Sequence, residues 1–273
     1  MSRRRLVNCV WFVLSVSGAA LAMAVPSVAE AMRVSPMVAE MTTHGTGAVT
    51  RIEVQNVNQA NLPFETRVTR IDYDANGNMT ETPADGDFLV FPPQGLLTSG
   101  ARQIVRLQWM GAPDMPASRA YYLSVNELPV QMTPGESKSA AAQVQVVYHM
   151  KALITVAPPK AAPNVEVVSV KPTTILPKAP PGSNAPPPPG SAMPGVEVVV
   201  RNTGTRYAMM AGERWMIDGT GTDGKPLSVV LDTDQISHII GVGYLAPQGG
   251  IRTFEVPTNG AFRPDTIKVR FGK

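Results

Sequence analysis

The sequence predicts an all-β chain built as two β-sandwiches in tandem. Three observations carry that prediction. Apolar residues recur at every second position in most segments, as in strands that bury one face. Gly (23) and Pro (26) are frequent while aromatics make up 6%, which suits many short strands joined by turns. A Pro-rich break, APPKAAP at 157–163, splits the strands into two groups, and 273 residues are enough for two cores of ordinary size.

The first residues read as an export signal and not as part of the fold. Arg3, Arg4 and Arg5 precede an apolar run from Leu6 to Val25, then Pro26 and the Ala29-x-Ala31 pattern of a cleavage site near Ala31. Cys9 lies inside this segment, so the mature chain is expected to hold no disulfide. Removing residues 1–31 lowers the formal charge from +3 to +1, which leaves no basic patch for nucleic acid. No second long apolar run follows, so no membrane insertion of the mature chain is expected.

Strand signals then follow in order. MRVSPMVAEM opens the mature sequence and TRIEVQNVN turns Ile52 and Val54 inward. FETRVTRIDY leads into DANGN at 74–78, a hairpin turn in which Gly77 supplies positive φ. FLVF stops at Pro92-Pro93, which removes two ladder donors. ARQIVRLQW puts Ile104, Arg106 and Gln108 on one face and Val105, Leu107 and Trp109 on the other. AYYLSVNELPV is a further strand, and together with the next segment this makes about seven strands and no convincing helix.

That next segment, Ala142–Val156, is the most unusual. Its even positions, Ala142, Val144, Val146, Tyr148, Met150, Ala152, Ile154 and Val156, are all apolar. Fifteen residues of period two make a strand of roughly 50 Å, against about five or six residues for an ordinary strand. Such a strand serves two sheets or offers its apolar edge to another molecule.

After the linker at 158–163, a smaller sandwich is expected over 164–273. PNVEVVSVKP, VEVVVRN, RWMIDG, LSVVLD, GYLA, RTFEVP and TIKVRFG carry its strands, and a Pro-rich insertion at 175–195 interrupts it as a solvated loop. No sequence repeat links the two halves.

Chemistry-bearing constellations are few. His44, His149 and His238 lack ligand spacing, and twelve Met beyond the export signal read as core filling, so no metal and no cofactor is expected. There is no G-x-S-x-G, no Walker loop and no Ser/His/Asp grouping, so the chain is not expected to be an enzyme.

In this order the segments resemble the PapD-like periplasmic chaperones of the chaperone–usher pathway. VSPMVAEMTTHGTGAVTRIEVQN resembles the family's first strands, FPPQGLLTSGARQIVRLQW its Pro-Pro, Leu, Gly and Arg-Leu run, and YYLSVNELP its aromatic and Glu-x-Pro strand. VQVVYHMKALITVAP is similar to the last strand of its first domain, while VRNTGTRYAMM and YLAPQGGIRTFEVP resemble segments of its second. The resemblance implies two Ig-like domains in a boomerang-like arrangement, in the periplasm, with pilin subunits and an outer-membrane usher as partners. It also implies donor-strand complementation, in which alternate side chains of the long strand fill the open groove of a subunit. Here those would be Ala142, Val144, Val146, Tyr148 and Met150. A self-capping homodimer of the free protein stays open. So does a different class of function, a structural or adhesive Ig-like protein of the cell envelope, itself a pilus component.

The family fixes the subunit's terminal carboxylate with an Arg on the first strand and a Lys near the end of the long one. Glu40 stands at the Arg position, while Lys151 lies one strand period before the usual Lys. Arg119 and, less directly, Arg106 are the candidates for the missing guanidinium. Glu127 in NELP matches the Glu of the family's interdomain network, but its expected Arg partner is replaced by Val156-Ala157. These departures suggest a divergent branch, archaic or related to it.

Overall fold

The computed structural model describes residues 32–73, 78–129, 146–176 and 191–272. The export signal, the tip of the first hairpin, residues 142–145 of the long segment and most of the Pro-rich insertion lie outside these residues. What is described is all-β apart from one α-helix and three short 3-10 turns, and it forms two sandwiches, as the sequence predicts.

The first half holds ten strands where about seven are expected from the sequence. They are β1 (Met32–Ser35), β2 (Val38–Thr42), β3 (Val49–Asn56), β4 (Leu62–Tyr73) and β5 (Met79–Pro83), then β6 (Phe88–Phe91), β7 (Gln94–Leu97), β8 (Arg102–Trp109), β9 (Arg119–Glu127) and β10 (His149–Ala157). Part of the excess comes where the chain changes sheet at a proline: Pro36 divides β1 from β2 within a segment read as one, and after Pro92-Pro93, where a strand end is expected, β7 forms on the other sheet. One sheet has the order β1-β3-β8-β6. The other runs β2-β10-β9-β4-β5, with β7 also on β4. All ladders are antiparallel except β2 on β10.

Alternation decides what goes inside. Val105, Leu107 and Trp109 are buried while Ile104 and Arg106 stay outside, as predicted for β8. Between the sheets, Phe88, Trp109 and Tyr121 make three edge-to-face contacts at 4.9 to 5.8 Å between ring centroids. Such contacts add to the area term. The Tyr121 hydroxyl donates to Asp87 at 2.8 Å, and burial, then Asp87, pushes its pKa far up, so it stays a neutral donor.

The second half comprises β11 (Val165–Ile175), β12 (Met193–Asn202), β13 (Ala208–Met209), β14 (Arg214–Thr220), β15 (Pro226–Leu231), α1 (Thr233–Ile240), β16 (Tyr244–Leu245), β17 (Gly250–Pro257) and β18 (Lys268–Gly272). Sheets β11-β12-β17 and β15-β14-β18 enclose Trp215, whose ring meets Phe271 at 4.8 Å and Phe254 at 5.6 Å. The Pro-rich insertion is shorter at both ends than expected, because Ile175 pairs with Met193 and the β11–β12 ladder continues inward from there.

Helix α1 is absent from the sequence expectation. Its start is nonetheless encoded: Asp232 accepts from the Gln235 amide at 2.8 Å, and the Gln235 side chain accepts from the Asp232 amide at 3.1 Å. That is a capping box, D-x-x-Q, read as part of a strand terminus.

Candidate functional site

Strand β10 carries the feature that the sequence singles out. Pairing begins at His149 and not at Ala142, and β10 lies on β9 from His149 to Val156. Its other neighbour, β2, covers only Leu153 to Ala157. Among the described residues, the segment from His149 to Ala152 therefore has β9 alone as a strand neighbour and forms a sheet edge.

The even-numbered face runs from core to solvent along this strand. Ala152, Ile154 and Val156 are fully buried in the first core. Met150 and Tyr148 are partly buried and pack against that core, and Val146 is 60% exposed. An apolar stripe that belongs to the core at its base thus leaves the protein at its top, beside an open edge. Of the five residues predicted to enter a partner, Ala142 and Val144 lie outside the described residues.

Glu127 is placed differently from expectation. Strand β9 runs from the junction with the second sandwich, at Arg119, to the far tip, at Glu127. There the Glu127 amide donates to the Tyr148 carbonyl at 2.9 Å, and its carboxylate accepts from the Tyr148 amide at 3.1 Å. Glu127 closes the top of β10 and takes no part in the domain junction.

The junction is built by other residues. Ile71, Ala120, Leu153 and Ala157 from the outer face of the β10 sheet pack on Tyr207 and Tyr244 of the second sandwich. Tyr244 stacks on Tyr73 at 5.7 Å and on Tyr207 at 6.0 Å. The Ser118 hydroxyl accepts from the Tyr207 amide at 2.7 Å, and the Ser118 amide donates to the Thr205 carbonyl at 2.9 Å. Glu40 accepts from Arg206 at 2.9 Å, so an acid on β2 meets a guanidinium from the other sandwich. The buried Thr155 hydroxyl has no hydrogen bond of ordinary geometry, although the Tyr207 hydroxyl lies close enough to be influenced by it.

The predicted cations separate. Lys151 pairs across the sheet with Ser124, and Arg119 with Val156. Residues 124 and 119 have opposite parity, so Arg119 emerges on the other face of the sheet and about 17 Å along it. It lies toward Tyr121, not toward Lys151. Arg106 sits in the opposite layer, on β8, and donates to Gln108 at 3.3 Å. Neither supplies a guanidinium beside Lys151. Lys151 itself shares the sheet face of Leu153 and donates to both oxygens of Glu81, at 2.7 and 2.9 Å. That hydrogen bond holds the Glu81 carboxyl below its usual range, with Thr69 assisting.

Residues that sequence reasoning missed are Glu81, Arg206 and Arg252. Arg252 donates from Nη1 to the Tyr244 carbonyl at 2.7 Å and lies 5.0 Å over the Phe254 ring. Among the described residues there is no group of three or more His, Cys, Asp or Glu that would hold a metal, and no helix long and apolar enough to cross a membrane.

The match to known families falls on this same half. Residues 38–161 match the family described as pili and flagellar-assembly chaperone, PapD N-terminal domain. The match spans 124 of the 273 residues, and the likeness is to a chaperone family of pilus and flagellar assembly. The matched stretch is the N-terminal sandwich from β2 through β10 into the linker. No curated protein matches the sequence. Among solved structures, the class 5 fimbriae chaperone CfaA has 11% identity and a TM-score of 0.49, covering 89% of this chain and 99% of its own. A chain of the Salmonella enterica SafA pilin–SafB chaperone complex has 16% identity and a TM-score of 0.48, covering 88% and 96%. A chain of the CsuC–CsuE chaperone–tip adhesion subunit complex of Acinetobacter baumannii has 10% identity and a TM-score of 0.47, covering 82% and 90%.

Proposed function

We propose that this protein is a periplasmic chaperone that captures pilin subunits by lending them the upper edge of β10 and hands them to an outer-membrane usher. The observation that carries the proposal is the apolar stripe of β10 leaving the core beside an open sheet edge. An unpaired edge with greasy side chains is a hazard for an isolated protein, but it is the tool required to complete a subunit that lacks a strand. Main-chain hydrogen bonds to the free side of β10 would supply affinity. Ala142, Val144, Val146, Tyr148 and Met150 would fill alternate pockets in the subunit.

Lys151 is the anchor for the subunit's terminal carboxylate in this proposal, one strand period below Met150's neighbour His149 on the face of Leu153. The N-terminal segment directs export and is removed near Ala31. The mature chain then folds as a first sandwich to residue 157, a linker at 158–163 and a second sandwich from 164.

Co-expression of the full chain with candidate pilin subunits tests the proposal. The expected result is a soluble one-to-one complex that Val146→Asp abolishes while the variant's own melting temperature stays unchanged. Normal capture by Val146→Asp, or no complex with any pilin, overturns it.

A further inference from the structure

Cations are not spread evenly over the first sandwich. On the sheet β1-β3-β8-β6, Ile52, Val54, Val105 and Leu107 are fully buried, so the residues alternating with them stand on the outer face. The ladders there set Arg51 directly opposite Arg106, with Phe91 opposite Arg106 on its other side. Gln55 lies between Arg33 and Arg102 in the same way. All four arginines are exposed, and the one carboxylate that these strands turn outward is Glu53, 3.6 Å from Arg102.

Like charges directly opposite across a ladder destabilise a sheet. Arg51 and Arg106 stand so, and neither has an ion pair among the described residues; Arg106 donates to the neutral Gln108 at 3.3 Å. Two guanidinium groups held together at a local cost suit anions that lie over both, phosphates above all.

Apolar side chains border them. Phe91 is 69% exposed, Leu89 55% and Ile104 43%. Leu89 and Phe91 belong to β6, the edge of this sheet. That strand has four residues and stops at Pro92-Pro93, so its edge is too short to hold an added strand from another protein. An open face of arginines with an aromatic rim matches the surface of a membrane. There guanidinium groups meet phosphates while Phe and Leu enter the acyl boundary.

We propose that the outer face of β1-β3-β8-β6 docks on an anionic phospholipid surface, with Arg51 and Arg106 on headgroup phosphates and Phe91 and Leu89 in the acyl boundary. The contact is peripheral, and no segment crosses the bilayer. It uses the layer opposite β10, so it is independent of subunit capture and leaves the β10 edge open.

The test sediments the full chain, purified after export, with vesicles of phosphatidylcholine alone or mixed equally with phosphatidylglycerol. Binding is expected to the mixed vesicles, far weaker to the neutral ones, and to fall as salt is added. Arg51→Gln and Arg106→Gln should each weaken it about fivefold. Their melting temperatures should equal or exceed the parent's, because a like-charge pair is removed. Arg51→Lys and Arg106→Lys should keep most of the binding, and Phe91→Ser and Leu89→Ser should each weaken it. Lys160→Gln with Lys225→Gln removes two exposed cations away from this face and should leave binding unchanged. Equal binding to neutral vesicles, full binding by both arginine-to-glutamine variants, or an equal loss in the lysine pair overturns the proposal. So does release of the bound protein by hexaglutamate or by glycerol phosphate, which would assign the face to an acidic chain or to free phosphate.

Discussion

Glu40 on β2 accepts a hydrogen bond from Arg206 of the second sandwich at 2.9 Å, and the two residues are 166 positions apart in the chain. An acid on a strand of the first sandwich is thus met by a guanidinium from the second. The same Arg206 donates to the Tyr207 hydroxyl at 3.2 Å and lies 5.1 Å over its ring. The two substitutions are therefore unequal. Glu40→Ala removes one partly exposed ion pair, worth about 0.2–1 kcal/mol. Arg206→Ala also uncovers Tyr207 and should cost more. A double-mutant cycle read by thermal denaturation separates the pair from the packing. Small-angle scattering should show a wider spread of interdomain angles in Arg206→Ala than in the parent.

The two sandwiches share a turn device. Asn56 is fully buried at the end of β3; its Nδ2 donates to the Ala60 carbonyl at 2.7 Å and its Oδ1 accepts from the Asn58 amide at 2.9 Å. Asn202 is fully buried at the end of β12; its Nδ2 donates to the Arg206 carbonyl at 2.7 Å and its Oδ1 accepts from the Gly204 amide at 3.0 Å. Asn202 also takes the Asn164 amide at 3.0 Å, which ties the linker end to β12. Alanine at either position strands buried backbone groups, at a cost of roughly 1–3 kcal/mol for each group left unsatisfied. Urea melts should show Asn56→Ala lowering the first sandwich and Asn202→Ala the second.

Burial along β10 predicts a gradient of mutational cost on one apolar face. Ile154 is fully buried, so Ile154→Ala should destabilise by about 2–5 kcal/mol. Val146 is 60% exposed, so Val146→Ala should leave thermal stability within about 0.5 kcal/mol of the parent. Met150 should fall between them. Equal costs at the two ends would mean that Val146 is packed in solution and that the stripe does not leave the core.

Much of this fold is legible in the sequence because strand alternation is a local property. The inward set of β8 and the buried lower half of β10 both follow from residues within one element. Changes of sheet at Pro36 and at Pro92 are less visible, since alternation does not say which sheet a strand joins. The site was legible in part. Lys151 could be placed on the face of Leu153 from parity, but Arg119 has the opposite parity along β9, which only the register with β10 reveals. Glu127 misled because its NELP motif sits at the tip and not at the hinge. Glu81, Arg206 and Arg252 carry no local signature at all. Glu81 and Arg206 each pair with a residue at least 70 positions away, and such pairings are set by tertiary packing.

The Glu81–Lys151 pair has an acid signature that can be measured. The Glu81 pKa is depressed in the folded state, chiefly by the hydrogen bond from Lys151. A carboxyl whose folded pKa is below its unfolded value contributes stability above the unfolded pKa, and that contribution is lost as the pH falls through the folded one. The parent should therefore melt higher than Glu81→Gln at neutral pH, and the difference should shrink on the acid side of the ordinary carboxylate range. Lys151→Met should show the same loss, because Glu81 then has no ammonium partner to favour its charged form. Thermal scans of the three proteins from neutral to acid pH make the comparison. A difference that persists undiminished at the acid end would mean that the Gln substitution acts through packing, and that the carboxylate beside Lys151 is not held there by charge.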